Sequence, residues 1–196
     1  MEKLVRSLIL FLGKFLYRLE VTGLENIPAE GGVILCSNHP WTFDMFFIAC
    51  KVKRLVHYMA KEELFKNPIL AYILTKLGAF PVKRGTGDIN SIRTALKILK
   101  EGKILGILPE GTRTGFNTLR KVKPKAGAAL IAVKANVPIV PAAISGDYRK
   151  LFSKVKVKFG KPFYINSDAD KKYTKEELEE ISRGIMDKVY SLLEEE

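Results

Sequence analysis

Short apolar runs alternate with segments of helical periodicity along most of the chain. The runs predict strands over 33–36, 55–59, 79–82, 104–108, 138–144, 155–159 and 163–165. Apolar positions three and four residues apart predict helices over 1–20, 40–51, 61–77 with a break at Pro68, 88–101, 125–135 and 174–193. Strands separated by helices indicate an α/β fold, with a mostly parallel sheet flanked by helices. Functional sites in such a sheet form at the carboxyl ends of the strands.

Residues 1–20 have the pattern of an amphipathic helix. Their apolar side chains, from Leu4 to Leu19, share one broad arc, and the opposite arc is dominated by cations, namely Lys3, Arg6, Lys14 and Arg18. This pattern favours a helix that lies on a membrane, and a core-packing helix remains the alternative. We expect residues 1–20 to anchor the chain, residues 61–77 to offer a second contact, and residues 21–196 to form one domain.

No segment is expected to span the membrane. The apolar stretch from Ser7 to Gly13 has seven residues, whereas a spanning helix needs about 20. Two cysteines cannot build a disulfide framework, which is typical of a reducing compartment. The expected location is therefore the cytoplasmic face of a membrane, with monotopic or peripheral attachment.

The charge balance narrows the classes of partner. Lys and Arg number 33 against 21 acidic residues, so the net charge is +12 and anionic partners are favoured. Phospholipid surfaces, phosphorylated substrates, acidic carrier proteins and nucleic acid all carry such charge. Nucleic acid is not expected, because the phenylalanines lie mostly in apolar segments and no nucleic-acid-binding signature is present.

Several common types of site are absent from the sequence. It contains no G-x-S-x-G, P-loop, G-x-G-x-x-G or C-x-x-C motif, which removes the hydrolase, P-loop and Rossmann interpretations. Cys36 and His39 have ligand-like spacing, but Cys50 is expected to face the core from its helix. We therefore predict no metal site and no cofactor.

The segment from Ser37 to Asp44 is the most informative part of the sequence, and it follows an apolar run directly. Pro40 disfavours the helical region for His39 and suits a first helical position, so we expect His39 at a helix N-cap with Asp44 one turn inside. The imidazole can then fold back to the Asp44 carboxylate. Such a pair fixes the ring and leaves Nε2 as a general base. A capping histidine without chemistry is the alternative.

Two further predicted strands end in cations. Lys83 and Arg84 follow the run 79–82, and Arg113 follows the run 104–108 through Glu110-Gly111-Thr112. Taken singly, each is typical of a solvated surface loop. A parallel sheet brings such ends together, where arginines and an approachable Gly111 amide would bind a phosphate.

In this order, the segments resemble the four blocks of the glycerolipid acyltransferase family, and in particular its bacterial 1-acyl-sn-glycerol-3-phosphate acyltransferases. The blocks N-H-x4-D, G-x-F-x-x-x-R, F-P-E-G-T-R and V-P-I-V-P are similar to residues 38–44, 78–84, 108–113 and 137–141. Leu108 replaces the usual Phe, and Thr42 stands where Ser is frequent. Neither change removes a charged or proton-handling group.

The resemblance implies acyl transfer in phospholipid biosynthesis by an acyltransferase domain over 21–196. A fatty acyl group would move from a thioester of acyl carrier protein or coenzyme A to the sn-2 hydroxyl of lysophosphatidic acid, giving phosphatidic acid. Glycerol 3-phosphate or another lysolipid stays open as acceptor. His39 would act as base and Asp44 would orient it. The other implied roles are phosphate binding by Lys83, Arg84 and Arg113, shaping of the acceptor site by Glu110, Gly111 and Thr112, and an acyl-pocket wall of Val137, Pro138, Ile139, Val140 and Pro141.

Overall fold

The computed structural model describes residues 16–83, 87–116, 122–166 and 171–194. Within these ranges the strands are β1 (Arg18–Thr22), β2 (Val33–Ser37), β3 (Val56–Lys61), β4 (Ala79–Val82), β5 (Ile104–Ile107), β6 (Ile139–Ser145) and β7 (Lys154–Phe159). The α-helices are α1 (Asp44–Ala49), α2 (Pro68–Lys76), α3 (Ile89–Lys100), α4 (Ala126–Ala135) and α5 (Lys175–Glu194). Short 3-10 helices cover Leu24–Asn26 and Glu62–Phe65.

The strands form a single sheet in the order β1-β7-β6-β2-β5-β3-β4. The strands from β6 to β4 are mutually parallel, whereas β7 runs antiparallel to β6 and pairs in parallel with β1 at the edge. The predicted mostly parallel α/β fold is therefore confirmed. The carboxyl ends of β2, β5, β3 and β4 lie along one edge, where the candidate site is found.

The core lies on both faces of the sheet. Alternate residues of β2 point to opposite faces, so Val33 and Leu35 join one cluster with Phe47 of α1. Ile34 and Cys36 join the other, which includes side chains of α3, α4 and α5. Burial on both faces explains why β2 reads as a continuous apolar run.

The predicted helix over 1–20 is wrong at its carboxyl end, and residues 1–15 of it lie outside the described residues. Arg18–Thr22 is strand β1, which pairs with β7. Its alternation of exposed and partly buried residues places Leu19 and Val21 against the core, and this pairing outweighs the helical pattern of the sequence. Strand β1 therefore belongs to the sheet and spans the predicted boundary between residues 20 and 21.

Other boundaries differ in smaller ways. The predicted helix 61–77 is divided before Pro68, as expected, and the Asn67 side chain caps α2 by accepting the N–H groups of Ile69 and Leu70. The predicted strand 163–165 is reduced to one bridge between Phe163 and Ile139. Each helix of the described residues is too short or too polar to cross a membrane.

Candidate active site

His39 and Asp44 meet in the loop that follows β2. His39 Nδ1 lies 2.6 Å from Asp44 Oδ2, so the ring folds back as the sequence predicts. The helical boundary was predicted wrongly: α1 begins at Asp44, with Phe43 at its N-cap in place of His39. The Asp44 carboxylate accepts the Trp41 N–H at 2.8 Å. The Asp44 side chain therefore closes the turn before the helix, and the helix begins at Asp44 instead of at the predicted residue 40.

The Asp44 carboxylate is fully buried and accepts three hydrogen bonds from the part of the chain that the structure describes. Its donors are His39 Nδ1, the Trp41 N–H and the Tyr148 hydroxyl. Because an ionised carboxylate only accepts, the shared proton belongs to Nδ1 and the lone pair of Nε2 is left available. His39 is 8% exposed and lines a groove. The imidazole can therefore act as a base toward a hydroxyl bound there.

Tyr148 was not predicted from the sequence as part of the site. It lies in the loop after β6 and is fully buried. Its ring packs edge-on against Phe47 and Phe116, with centroids 5.0 and 4.9 Å away. Burial, together with the Asp44 charge, raises the pKa of Tyr148 far above its usual value, so its hydroxyl stays a donor. Tyr148 therefore fixes the carboxylate that fixes His39.

The loop after β5 holds the backbone of His39. The His39 N–H donates to Glu110 Oε2 at 2.7 Å. The His39 carbonyl accepts from the Thr114 N–H at 2.9 Å, and the Pro40 carbonyl accepts from the Gly115 N–H at 3.2 Å. Next to His39, both backbone groups of Ile144 in β6 bond to the Asn38 side chain at 2.9 Å. These bonds attach the backbone around His39 to β6 and to the loop after β5, so the sheet fixes the position of the imidazole.

Glu110, Gly111 and Thr112 do not share one role. Glu110 is 1% exposed and binds the His39 N–H and the Tyr190 hydroxyl, so it shapes the site from within the core. Gly111 lines the groove with a φ of +65°. Its N–H donates to the Leu108 carbonyl at 3.0 Å, so this amide is bonded within its own turn. Thr112 is exposed.

The groove lies between the carboxyl edge of the sheet and helices α3 and α4, and it has a volume of about 390 Å³. His39 stands at its wall. Apolar side chains supply most of the surface, including Met45, Met59, Val82, Ile92, Ile107 and Ile131. An apolar groove with one base at its wall suits a ligand that combines a hydrocarbon chain with a reacting polar group.

Among the described residues, two lysines line the groove. Lys83 follows β4, and its N–H is held at 3.0 Å by the carboxylate of Asp88, the N-cap of α3. Lys125, which was not predicted, lies against Gly111, where an added Cβ would be 3.0 Å from Lys125 Cγ. Arg84 lies outside the described residues. Arg113 is exposed on the loop after β5 and is not among the described residues that line the groove.

The five residues predicted to form the acyl-pocket wall lie in β6 and in the segment before it. Val137 and Pro138 precede β6, whose first residues Ile139, Val140 and Pro141 pair with 34–36 of β2. These five residues lie in or before the strand, toward its amino end. None of them belongs to the described lining of the groove.

Cys36 is buried, which raises its pKa to about 12, and within the described ranges no group of three or more His, Cys, Asp or Glu could share a metal ion.

Comparison with known proteins identifies the family. A model of the Acyltransferase family matches residues 18–145. The 1-acyl-sn-glycerol-3-phosphate acyltransferase of Bacillus subtilis is 39% identical over 150 residues, which are 74% of this chain and 73% of that protein. The protein of the same name from Streptococcus pneumoniae is 32% identical over 179 residues, and the match covers 87% of this chain and 64% of that protein.

A solved structure shows the same fold. The crystal structure of the 1-acyl-sn-glycerophosphate (LPA) acyltransferase PlsC from Thermotoga maritima has a TM-score of 0.72 to this chain at 27% identity. The match covers 98% of this chain and 81% of that one. The family match extends from β1 to the end of β6 and includes His39, Asp44 and the loop that holds them. This chain therefore belongs to the acyltransferase family.

Proposed function

We propose that this chain transfers a fatty acyl group from a thioester to the 2-hydroxyl of 1-acyl-sn-glycerol 3-phosphate, giving phosphatidic acid. The observation that carries the proposal is the 2.6 Å contact between His39 and Asp44 at the wall of an apolar groove. The apolar walls suit a fatty chain, and the groove lysines suit an anionic headgroup. The names of the relatives from Bacillus subtilis and Streptococcus pneumoniae support this acceptor.

The proposed reaction needs one base and no acyl-enzyme. His39 Nε2 removes the proton of the acceptor hydroxyl while the hydroxyl oxygen attacks the thioester carbonyl carbon. Asp44 keeps Nδ1 protonated and stabilises the imidazolium that forms. As the tetrahedral intermediate collapses, the C–S bond breaks and the imidazolium returns its proton to the leaving thiolate. General-base catalysis typically contributes about 10² to 10⁴ in rate, and alignment of the two substrates contributes much of the remainder.

The acceptor phosphate is assigned to a lysine that lines the groove and to two arginines that lie, in the sequence, within two residues of positions that line it. Lys83 lines it directly, and its backbone is fixed by Asp88. Arg84 follows Lys83 in the sequence, and Arg113 lies on the loop that holds the His39 backbone. We assign the phosphate to these three residues.

A membrane that contains anionic phospholipid is the proposed source of the acceptor. Residues 61–77, here called the α2 region, expose apolar side chains, among which Ile69 is 72% exposed and Tyr72 is 50% exposed. Lys61, Lys66 and Lys76 accompany them. The region begins at the carboxyl end of β3, on the edge where the groove lies. Apolar side chains with nearby lysines suit the interface of an anionic bilayer.

The test is an assay of the purified chain with acyl carrier protein and coenzyme A thioesters. The acceptors are lysophosphatidic acid, glycerol 3-phosphate and a lysolipid without a terminal phosphate. We expect phosphatidic acid from the first acceptor, and the rates with the two thioesters identify the donor. Equal rates with the acceptor that lacks the phosphate would contradict the phosphate site, and no product from any pair would contradict acyl transfer to these acceptors.

A further inference from the structure

Tyr190 of α5 reaches the active site from outside the family match, which ends at residue 145. Its hydroxyl donates to Glu110 Oε1 at 2.7 Å. The other oxygen, Glu110 Oε2, accepts the His39 N–H at 2.7 Å. Both Tyr190 and Glu110 are buried. One carboxylate therefore connects the carboxy-terminal helix to the backbone of the candidate base.

The Tyr190 hydroxyl also contacts the segment that leads into α4. It accepts a hydrogen bond from the Val122 N–H. Three residues later, the Lys125 N–H donates to the Pro109 carbonyl at 2.7 Å. The hydroxyl therefore ties together α5, the loop after β5 and the entry to α4, and the latter two border the groove.

The position of Tyr190 is itself fixed by packing. Ile185, Met186 and Val189 of α5 lie in the same buried cluster as Ile34 of β2 and Ile139 of β6. A helix held on the sheet in this way presents Tyr190 at a constant position relative to β2, the strand that leads to His39.

We propose that Tyr190 is a positioning residue for acyl transfer, because it holds the Glu110 carboxylate in the orientation that fixes the His39 backbone. The carboxy-terminal helix is then part of the active centre. This inference deepens the proposed function and rests on it for its kinetic test, and its spectroscopic test does not depend on activity.

The electrostatics of Glu110 give the proposal a distinctive pH signature. Burial raises the pKa of Glu110, and the hydrogen bonds from Tyr190 and the His39 N–H lower it. The other charges that face it are the His39 ring and Asp44, and Asp187 of α5 faces Tyr190. Without the Tyr190 hydroxyl, the pKa of Glu110 rises further. Protonated Glu110 is a weaker acceptor for the His39 N–H. As the pH is lowered, a variant without the Tyr190 hydroxyl therefore loses the support of the His39 backbone at a higher pH than the wild type does.

The kinetic experiment compares Tyr190→Phe with Tyr164→Phe. The first removes only the hydroxyl, and the second removes a hydroxyl from a 63% exposed ring beside Phe163, at the amino end of β6. We expect Tyr190→Phe to lower kcat about three- to tenfold, the loss of one hydrogen bond. KM for both substrates should stay within about twofold, and the acid limb of the kcat profile should move to higher pH. The control should match the wild type.

A second background separates positioning from general stability. In Glu110→Gln the side chain at position 110 no longer titrates, so adding Tyr190→Phe should produce no further shift of the acid limb. The same shift with and without a titratable residue at position 110 would overturn the proposal. An unchanged kcat in folded Tyr190→Phe would do the same.

An NMR titration of the Glu110 carboxyl carbon decides the link without any turnover. We expect its midpoint to lie at higher pH in Tyr190→Phe than in Tyr164→Phe. Equal midpoints would overturn the link between Tyr190 and Glu110. If the wild type transfers no acyl group to any acceptor, the proposed function fails, and this titration still reports on the contact.

Discussion

At the scale of single residues, the buried Asp44 carboxylate determines how the imidazole of His39 is presented. Tyr148→Phe removes one of its three donors and keeps the ring that packs on Phe47 and Phe116. We expect kcat to fall by about tenfold, since a hydrogen bond to a charged group contributes about 1.5 to 3 kcal/mol and the two remaining donors keep the loss at the lower end of that range. Asp44→Asn should cost more, because the amide permits the wrong imidazole tautomer.

Steady-state kinetics and a thermal melt of both variants provide the check. Tyr164→Phe is the matched control, because it removes a hydroxyl from an exposed ring outside the site. A folded Tyr148→Phe with the kcat of the wild type would contradict the role given to Tyr148.

The same scale shows which parts of the site a sequence can predict. The contact between His39 and Asp44 is local, with five residues of separation and Pro40 between them, so spacing and backbone preference were sufficient. Tyr148 lies 104 residues from Asp44, and Tyr190 lies 80 residues from Glu110. Only the order of strands brings such pairs together. No spacing rule indicates them, and Lys125 was missed because it belongs to no recognised block.

At the scale of elements, the cap of α3 also positions Lys83. Asp88 Oδ1 accepts the N–H groups of Asn90 and Ser91 at 3.1 and 3.3 Å, and Asp88 Oδ2 accepts the Lys83 N–H at 3.0 Å. We expect Asp88→Ala to lower the melting temperature and to raise KM for the phosphorylated acceptor, with a smaller effect on donor KM. Asp88→Asn separates the two roles, because asparagine caps helices nearly as well but its NH2 group cannot accept the Lys83 N–H. In this variant the melting temperature should stay near that of the wild type while the acceptor KM still rises.

The measurement is acceptor and donor KM together with a thermal melt for both variants. An acceptor KM in Asp88→Ala equal to that of the wild type would contradict the placement of Lys83 at the phosphate.

Elements with a clear local signal were predicted well, whereas the conformation of β1 and the direction of β7, which depend on distant partners, were not. For α3, the apolar spacing and the Asp88 cap lie within the helix and its first turn, and both ends fall within one residue of the prediction. Strand β1 continues an amphipathic pattern that also fits a helix. Its conformation is decided by β7, more than 130 residues later. The antiparallel direction of β7 carries no local signal either.

At the scale of the whole molecule, the net charge of +12 and the exposed α2 region predict binding to an anionic membrane. Ile69→Asp should weaken binding to anionic vesicles about tenfold, since burial of one large apolar side chain contributes about 1.5 to 3 kcal/mol. Tyr164→Asp is the control, because Tyr164 is comparably exposed next to Phe163 at the far end of β6.

Vesicle sedimentation measures both variants, and activity on bilayer-embedded acceptor should fall with binding. A short-chain soluble acceptor should be used as well as before. Salt should release only part of the bound wild type, because apolar contacts are not screened. Equal binding by the Ile69 and Tyr164 variants would contradict the role of α2.

The most direct measurement of the central claim is kcat for His39→Ala at saturating acyl thioester and lysophosphatidic acid. Alanine keeps the N–H that binds Glu110 and the carbonyl that binds Thr114, so the protein should remain folded by circular dichroism. Removal of a general base should lower kcat by about 10² or more. A folded His39→Ala variant that retains more than about a tenth of wild-type kcat would contradict general-base catalysis by His39.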